Sequence, residues 1–143
     1  MNEGGIVVAD LADVEVERFW SDTEPEVDFR LGFPVAAVHG AERSVATYWE
    51  VDAGQRTGAH TDSEEEVLYV LAGVVELVTG NAVRRLAAGQ LAVIPRMSRH
   101  DVRAVGPLPA RGLSFYAGAR ITTTFDAPLM PWGLRCISSD DLA

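Results

Sequence analysis

The chain has 143 residues, with 12 Arg and no Lys against 21 Asp and Glu, a net charge of −9 and 48% hydrophobic residues. Its length suits one core, since domains commonly hold roughly 100–150 residues. Acidity without a basic run argues against nucleic acid and anionic membrane surfaces as partners, because both carry charge of the same sign. The single cysteine, Cys136, excludes an intrachain disulfide and a thiolate-built metal knot, and is expected to be a buried thiol.

Residues 1–33 mix short apolar pieces with acidic ones and read as peripheral strand and loop. The first residues carry no basic leader and no apolar run of bilayer length, so a cytoplasmic location is expected. From Pro34 onward, β-rich runs are expected at 34–38, 44–51, 66–71, 74–79, 90–94, 100–105, 112–117 and 120–125, each bounded by turn residues. In 44–51, Val45, Thr47, Trp49 and Val51 share one face and Ala46, Tyr48 and Glu50 the other, with one face buried. Gly80-Asn81 predicts a tight hairpin turn after Thr79. Pro107-Leu108-Pro109 reads as a stiff surface connection. Residues 138–142 resemble one helical turn with Ser138 as its cap. No segment keeps a helical stripe for three turns, so the fold is expected to be all-β with little helix.

The chemistry concentrates in two segments. In extended chain His60 and Asp62 point the same way, and Glu66 opens a strand on the same phase as Leu68 and Val70. A carboxylate aimed among apolar residues requires a partner or a metal ion. His100, in phase with Val102 and Ala104, is a credible partner.

These residues give the chain its resemblance to the single-domain cupins, which are jelly-roll β-barrels (double-stranded β-helices). The family's first motif, G-x5-H-x-H-x3,4-E-x6-G, is met by Gly54, His60, Glu66 and Gly73, with Asp62 in place of the second histidine. Its second motif, G-x5-P-x-G-x2-H-x3-N, is met by Gly89, Pro95 and His100, with Met97 for the glycine and Ala104 for the asparagine. The resemblance implies one cupin domain over 1–143, with a core barrel at about 34–125, N-terminal strands and loops at 1–33 and a tail at 126–143. It further implies one divalent metal (Fe, Mn, Ni, Co or Zn) held by His60, Glu66 and His100. Asp62 stands as a fourth ligand, an acceptor orienting His60, or a solvent-facing acid. Small cupins include dioxygenases, isomerases, lyases, decarboxylases and cyclases, so a metal-dependent enzyme acting on a small-molecule substrate is expected. Glu66, Tyr48 and Tyr69 are the candidates to move a proton. A non-catalytic barrel binding a small ligand is the alternative. A third reading takes His60, Asp62 and His100 as the triad of a 2-oxoglutarate-type Fe(II) oxygenase, with Arg111 gripping the cosubstrate. The family also implies a homodimer, through residues 6–9 adding to a partner's sheet edge.

Overall fold

The computed structural model describes residues 4–141. Twelve strands follow in chain order: β1 (Glu17–Trp20), β2 (Asp28–Val35), β3 (Ser44–Val51), β4 (His60–Asp62), β5 (Glu66–Ala72), β6 (Val74–Thr79), β7 (Ala82–Ala87), β8 (Leu91–Ile94), β9 (Asp101–Val105), β10 (Ala110–Ala117), β11 (Thr122–Leu129) and β12 (Leu134–Ser138). Two single-turn 3-10 segments, Leu11–Asp13 and Ala37–His39, are the helical pieces among the described residues.

One layer is a six-stranded antiparallel sheet in the order β1-β2-β3-β10-β5-β8. Facing it are two three-stranded sheets, β12-β11-β4 and β7-β6-β9. An antiparallel bridge joins these two sheets, with the His60 and His100 amides each donating to the other's carbonyl at 2.9 Å. The two layers are tied along one flank by backbone bonds between Trp20 and Met130. The opposite flank carries the edge strands β7 and β8, connected by a short turn at 88–90. The architecture is a jelly-roll β-barrel.

Alternation in the sequence fixes which side chains fill the barrel. Along β5, Glu66, Leu68 and Val70 are buried while Val67 and Tyr69 are half-buried on the other face. Along β10, Ala110, Gly112, Ser114 and Tyr116 point in, and Arg111 and Phe115 point out. Phe29 stacks on Phe125 at 5.7 Å, and Trp132 meets Phe19 edge-on at 5.2 Å. The Gly80-Asn81 hairpin forms as expected, with Thr79 paired to Ala82.

Several expectations are corrected. The strand expected at 34–38 is the end of β2, which begins at Asp28, and residues 37–39 form a 3-10 turn instead. The sheets also extend past 34–125, because β1 and β12 add at the flanks and Phe19, Val27 and Ile137 join the core. Strand β3 is buried on both faces, since Ala46 and Tyr48 are covered as fully as Val45 and Trp49. The cover is the N-terminal segment. At Gly32, which pairs with Tyr48, a Cβ would lie 2.5 Å from Glu15 O and 2.7 Å from Val14 Cγ1, so only glycine lets 14–16 cross there. Cys136 is exposed on β12 rather than buried, facing Thr124 across the strand pair. The tail at 138–141 is a turn following β12, held by Ser138 and Asp141. Leu142 lies outside the described residues. Val7 to Ala9 join no strand, and Ile6, Val7 and Val8 are exposed. No helix among the described residues is long and apolar enough to cross a membrane.

Candidate metal centre

The barrel interior gathers four titratable side chains at one point. His60 and Asp62 are the first and last residues of β4, so period-two alternation turns both inward. Glu66 is the first residue of β5, and His100 immediately precedes β9, opposite His60. All four are buried. One ligand atom each from His60, Asp62 and His100 lies within 4.8 Å of the others. His100 Nε2 stands 3.3 Å from Glu66 Oε1 and 3.5 Å from Asp62 Oδ2.

The surroundings orient each group. His60 Nδ1–H donates to Gly58 O at 2.7 Å and His100 Nδ1–H to Ser98 O at 2.8 Å, since a carbonyl can only accept. Nε2 is therefore the nitrogen left available on both rings. Asp62 Oδ1 accepts from the Thr123 hydroxyl at 2.6 Å. That leaves Asp62 Oδ2, Glu66 Oε1 and His100 Nε2 buried without a hydrogen-bond partner. Of the three roles open to Asp62, burial excludes a solvent-facing one, and the Gly58 carbonyl already occupies the His60 Nδ1–H that an orienting acceptor would take.

Burial, with the neighbouring His100, holds the His60 imidazole down to about 4, so it is neutral at pH 7. Burial also pushes Asp62 up, helped by the negative charge of Glu66. For Glu66, burial acts upward but is outweighed by His100, which keeps the carboxyl below its usual range. His100 is raised: burial disfavours its cation, yet Glu66 and Asp62 outweigh it. These two shifts favour the charged forms of His100 and Glu66, side by side. Burial, then the charges of Glu66 and Asp62, raise the Tyr116 phenol well above its ordinary value.

A narrow cavity of about 50 Å³ opens beside the cluster, walled by the apolar and aromatic side chains of β2, β3, β10 and β11 together with Ser114, Thr47 and Thr123. No Arg lines it. The expected proton-movers Tyr48 and Tyr69 lie elsewhere. Both are out of phase with the inward residues of their strands; Tyr48 donates to Glu50 at 2.7 Å on the outer face, and Tyr69 pairs there with Leu113. Arg111 is also outside, bonded to the Tyr48 hydroxyl, so the arginine required by the 2-oxoglutarate reading does not reach the cavity. The tyrosine that faces the cluster is Tyr116. Sequence reading passed over Ser114 and Thr123. The alternation of β10 marks Ser114 as a polar residue on the inward phase, whereas nothing separates Thr123 from Thr122 and Thr124.

A family model described as the cupin domain matches residues 47–116, the stretch that contains all four cluster residues. The chain carries a cupin domain. Known structures share this cupin barrel. The polyketide cyclase RemF of Streptomyces resistomycificus is 23% identical with a TM-score of 0.65, over 78% of this chain and 79% of that one. A cupin 2 conserved barrel domain protein of Rhodopseudomonas palustris is 21% identical with a TM-score of 0.65, covering 75% and 72%. A Thermotoga maritima protein described as a predicted oxalate decarboxylase is 15% identical with a TM-score of 0.64, covering 78% and 99%. No curated protein matches the chain. The centre departs from the usual motif at Asp62; the side chains close enough to share an ion are His60, Asp62 and His100, with Glu66 beside them at 3.3 Å from His100 Nε2.

Proposed function

We propose that the protein is a metal-dependent enzyme acting on a small molecule, with one divalent ion held by His60, Asp62, Glu66 and His100. The observation that carries this reading is the convergence of three buried, partnerless polar atoms: Asp62 Oδ2, Glu66 Oε1 and His100 Nε2. Lone pairs that face one another in a dry interior repel unless a cation or a proton sits among them. Two carboxylates would cancel the charge of a divalent ion, and mixed imidazole and carboxylate donors suit Fe, Mn, Ni, Co or Zn. When bound, such an ion supplies Lewis acidity to a substrate oxygen.

The chain's own residues do the remaining work. Thr123 and the carbonyls of Gly58 and Ser98 hold Asp62 and the two imidazoles in place, so the donor atoms need little rearrangement. Tyr116, kept protonated by burial, is placed to donate to an oxygen that gains charge in the cavity. The apolar walls exclude water. The apolar and aromatic walls, with the Tyr116 hydroxyl among them, suit a substrate that presents an apolar body and an oxygen at its reacting end. The apolar side chains exposed on Ile6, Val7 and Val8 support a homodimer as part of the same reading.

A second reading, a non-catalytic ligand-binding barrel, is favoured by the His100–Glu66 pair, which can hold a proton where the ion would sit. Metal content separates the two. Protein purified without a metal-affinity column is expected to carry close to one transition-metal ion per chain by plasma mass spectrometry, and His100→Ala to lose it. Wild-type protein that carries no ion and takes up none on reconstitution would overturn the metal reading and favour the binding barrel.

A further inference from the structure

The barrel is closed on the Trp20–Met130 flank and parted on the other, where β7 and β8 leave the 88–90 turn in different layers. The apex of this wedge is fastened by the Gln90 side chain, which accepts from the Ala87 amide at 2.8 Å. Beyond the apex the strands enclose a cleft of about 420 Å³, several times larger than the cavity beside the metal centre and lined by a different set of residues. Its walls include Leu77, Leu86, Ile94 and Pro95, and it reaches His100.

Arg84 is the anomaly in this cleft. Its partner across the β6–β7 ladder is the buried Leu77, and it lies two residues before the buried Leu86, so it occupies an inward phase where alternation calls for an apolar residue. Its neighbour Arg85 takes the outward phase and pairs with Glu76 at 3.3 Å. Arg84 makes no ion pair or side-chain hydrogen bond among the described residues. A guanidinium without a carboxylate of its own, on the lip of a cleft that carries Leu77, Leu86 and Ile94 among polar neighbours such as Thr79 and Ser98, suits a carboxylate borne on an apolar body.

We infer that the β7–β8 cleft is a second binding site, taking a small monocarboxylate whose acid end meets Arg84 and whose apolar body lies against Leu77, Leu86 and Ile94. A carboxylate fits better than a dianionic phosphate, because the cleft's other guanidinium, Arg85, is paired with Glu76, which leaves Arg84 as its unpaired positive charge among the described residues. The site borders the metal centre at His100 and is distinguished from it by its anchor, Arg84.

The test is a titration of the isotope-labelled full chain with phenylacetate, followed by amide NMR shifts. Saturable shifts are expected at Leu77, Leu86 and Ile94, with affinity about tenfold weaker in Arg84→Gln, since a charge-assisted contact is lost. Neutral phenylacetamide should bind weakly to both proteins and without dependence on Arg84. Arg84 is exposed, so a dispersed amide spectrum will show that the variant is folded, and Arg84→Lys should restore part of the affinity. The assignment is overturned by phenylacetate affinity that Arg84→Gln leaves unchanged, by shifts that fall on Thr47 and Thr123 in the other cavity, or by phenyl phosphate binding more tightly through Arg84. None of these outcomes bears on metal content, so failure here and failure of the metal reading remain distinct.

Discussion

Replacing Asp62 by Asn tests whether the cluster is built for a cation at the expense of metal-free stability. In the folded chain burial and Glu66 raise Asp62 to about 8, against an ordinary value of 3.8. Between those values the folded state holds a proton that the unfolded state has released, so metal-free stability falls as pH rises through the window. At pH 7 the shift corresponds to at most about 4 kcal/mol, at roughly 1.4 kcal/mol per pH unit. Asn keeps the acceptor for Thr123 and removes the carboxylate charge that burial and Glu66 disfavour. Metal-free Asp62→Asn is therefore expected to be more stable than wild type by about 2–4 kcal/mol at pH 7, with a smaller loss between pH 5 and 8. Below pH 5 the lowered Glu66 acts in the opposite sense, and above pH 6.5 the raised His100 adds to the same slope; because Asp62 also helps to raise His100, the difference between the proteins reports Asp62 together with its effect on its neighbours. Saturating divalent metal should narrow the gap. An ion at a hundred times its dissociation constant stabilises wild type by about 2.7 kcal/mol, and an amide ligand holds it less well. Urea unfolding with chelator, at pH 5, 7 and 8, measures all of this. Equal stabilities and parallel pH slopes would refute the reasoning.

Two further substitutions probe how the site is framed. Met97 sits at φ 62°, the left-handed region that the motif's usual glycine occupies freely, and its amide donates to Asp62 O at 3.0 Å. Met97→Gly is expected to relieve that strain and raise stability by up to about 1 kcal/mol, read as a higher urea midpoint at unchanged slope; a lower midpoint would show the strain is not there. A Cβ at Gly112 would fall 2.0 Å from Trp49 Cζ2 and 2.5 Å from Tyr69 O. Gly112→Ala must displace Trp49 and break its 3.2 Å bond to Ser114, costing about 3 kcal/mol and changing the near-ultraviolet dichroism; unchanged stability would refute the packing.

The sequence by itself determined much of this protein. Period-two alternation and turn residues placed the central strands, and β3 and β6 lie where that pattern puts them. The spacing of His60, Asp62, Glu66 and His100 put all four on inward phases, because side-chain direction along a strand follows from position alone. Tyr69 could have been read the same way, since it is out of phase with Glu66. Tyr48 could not: β3 carries large residues on both faces, and only the N-terminal segment crossing at Gly32 decides that its second face is covered as well. The tertiary structure alone also brought Thr123 to Asp62 and left Arg84 unpaired at the parted flank. The division has a physical cause. Local alternation is a property of the backbone and is written residue by residue, whereas the choice of neighbour across a barrel depends on how strands far apart in the chain pair and where the two layers close.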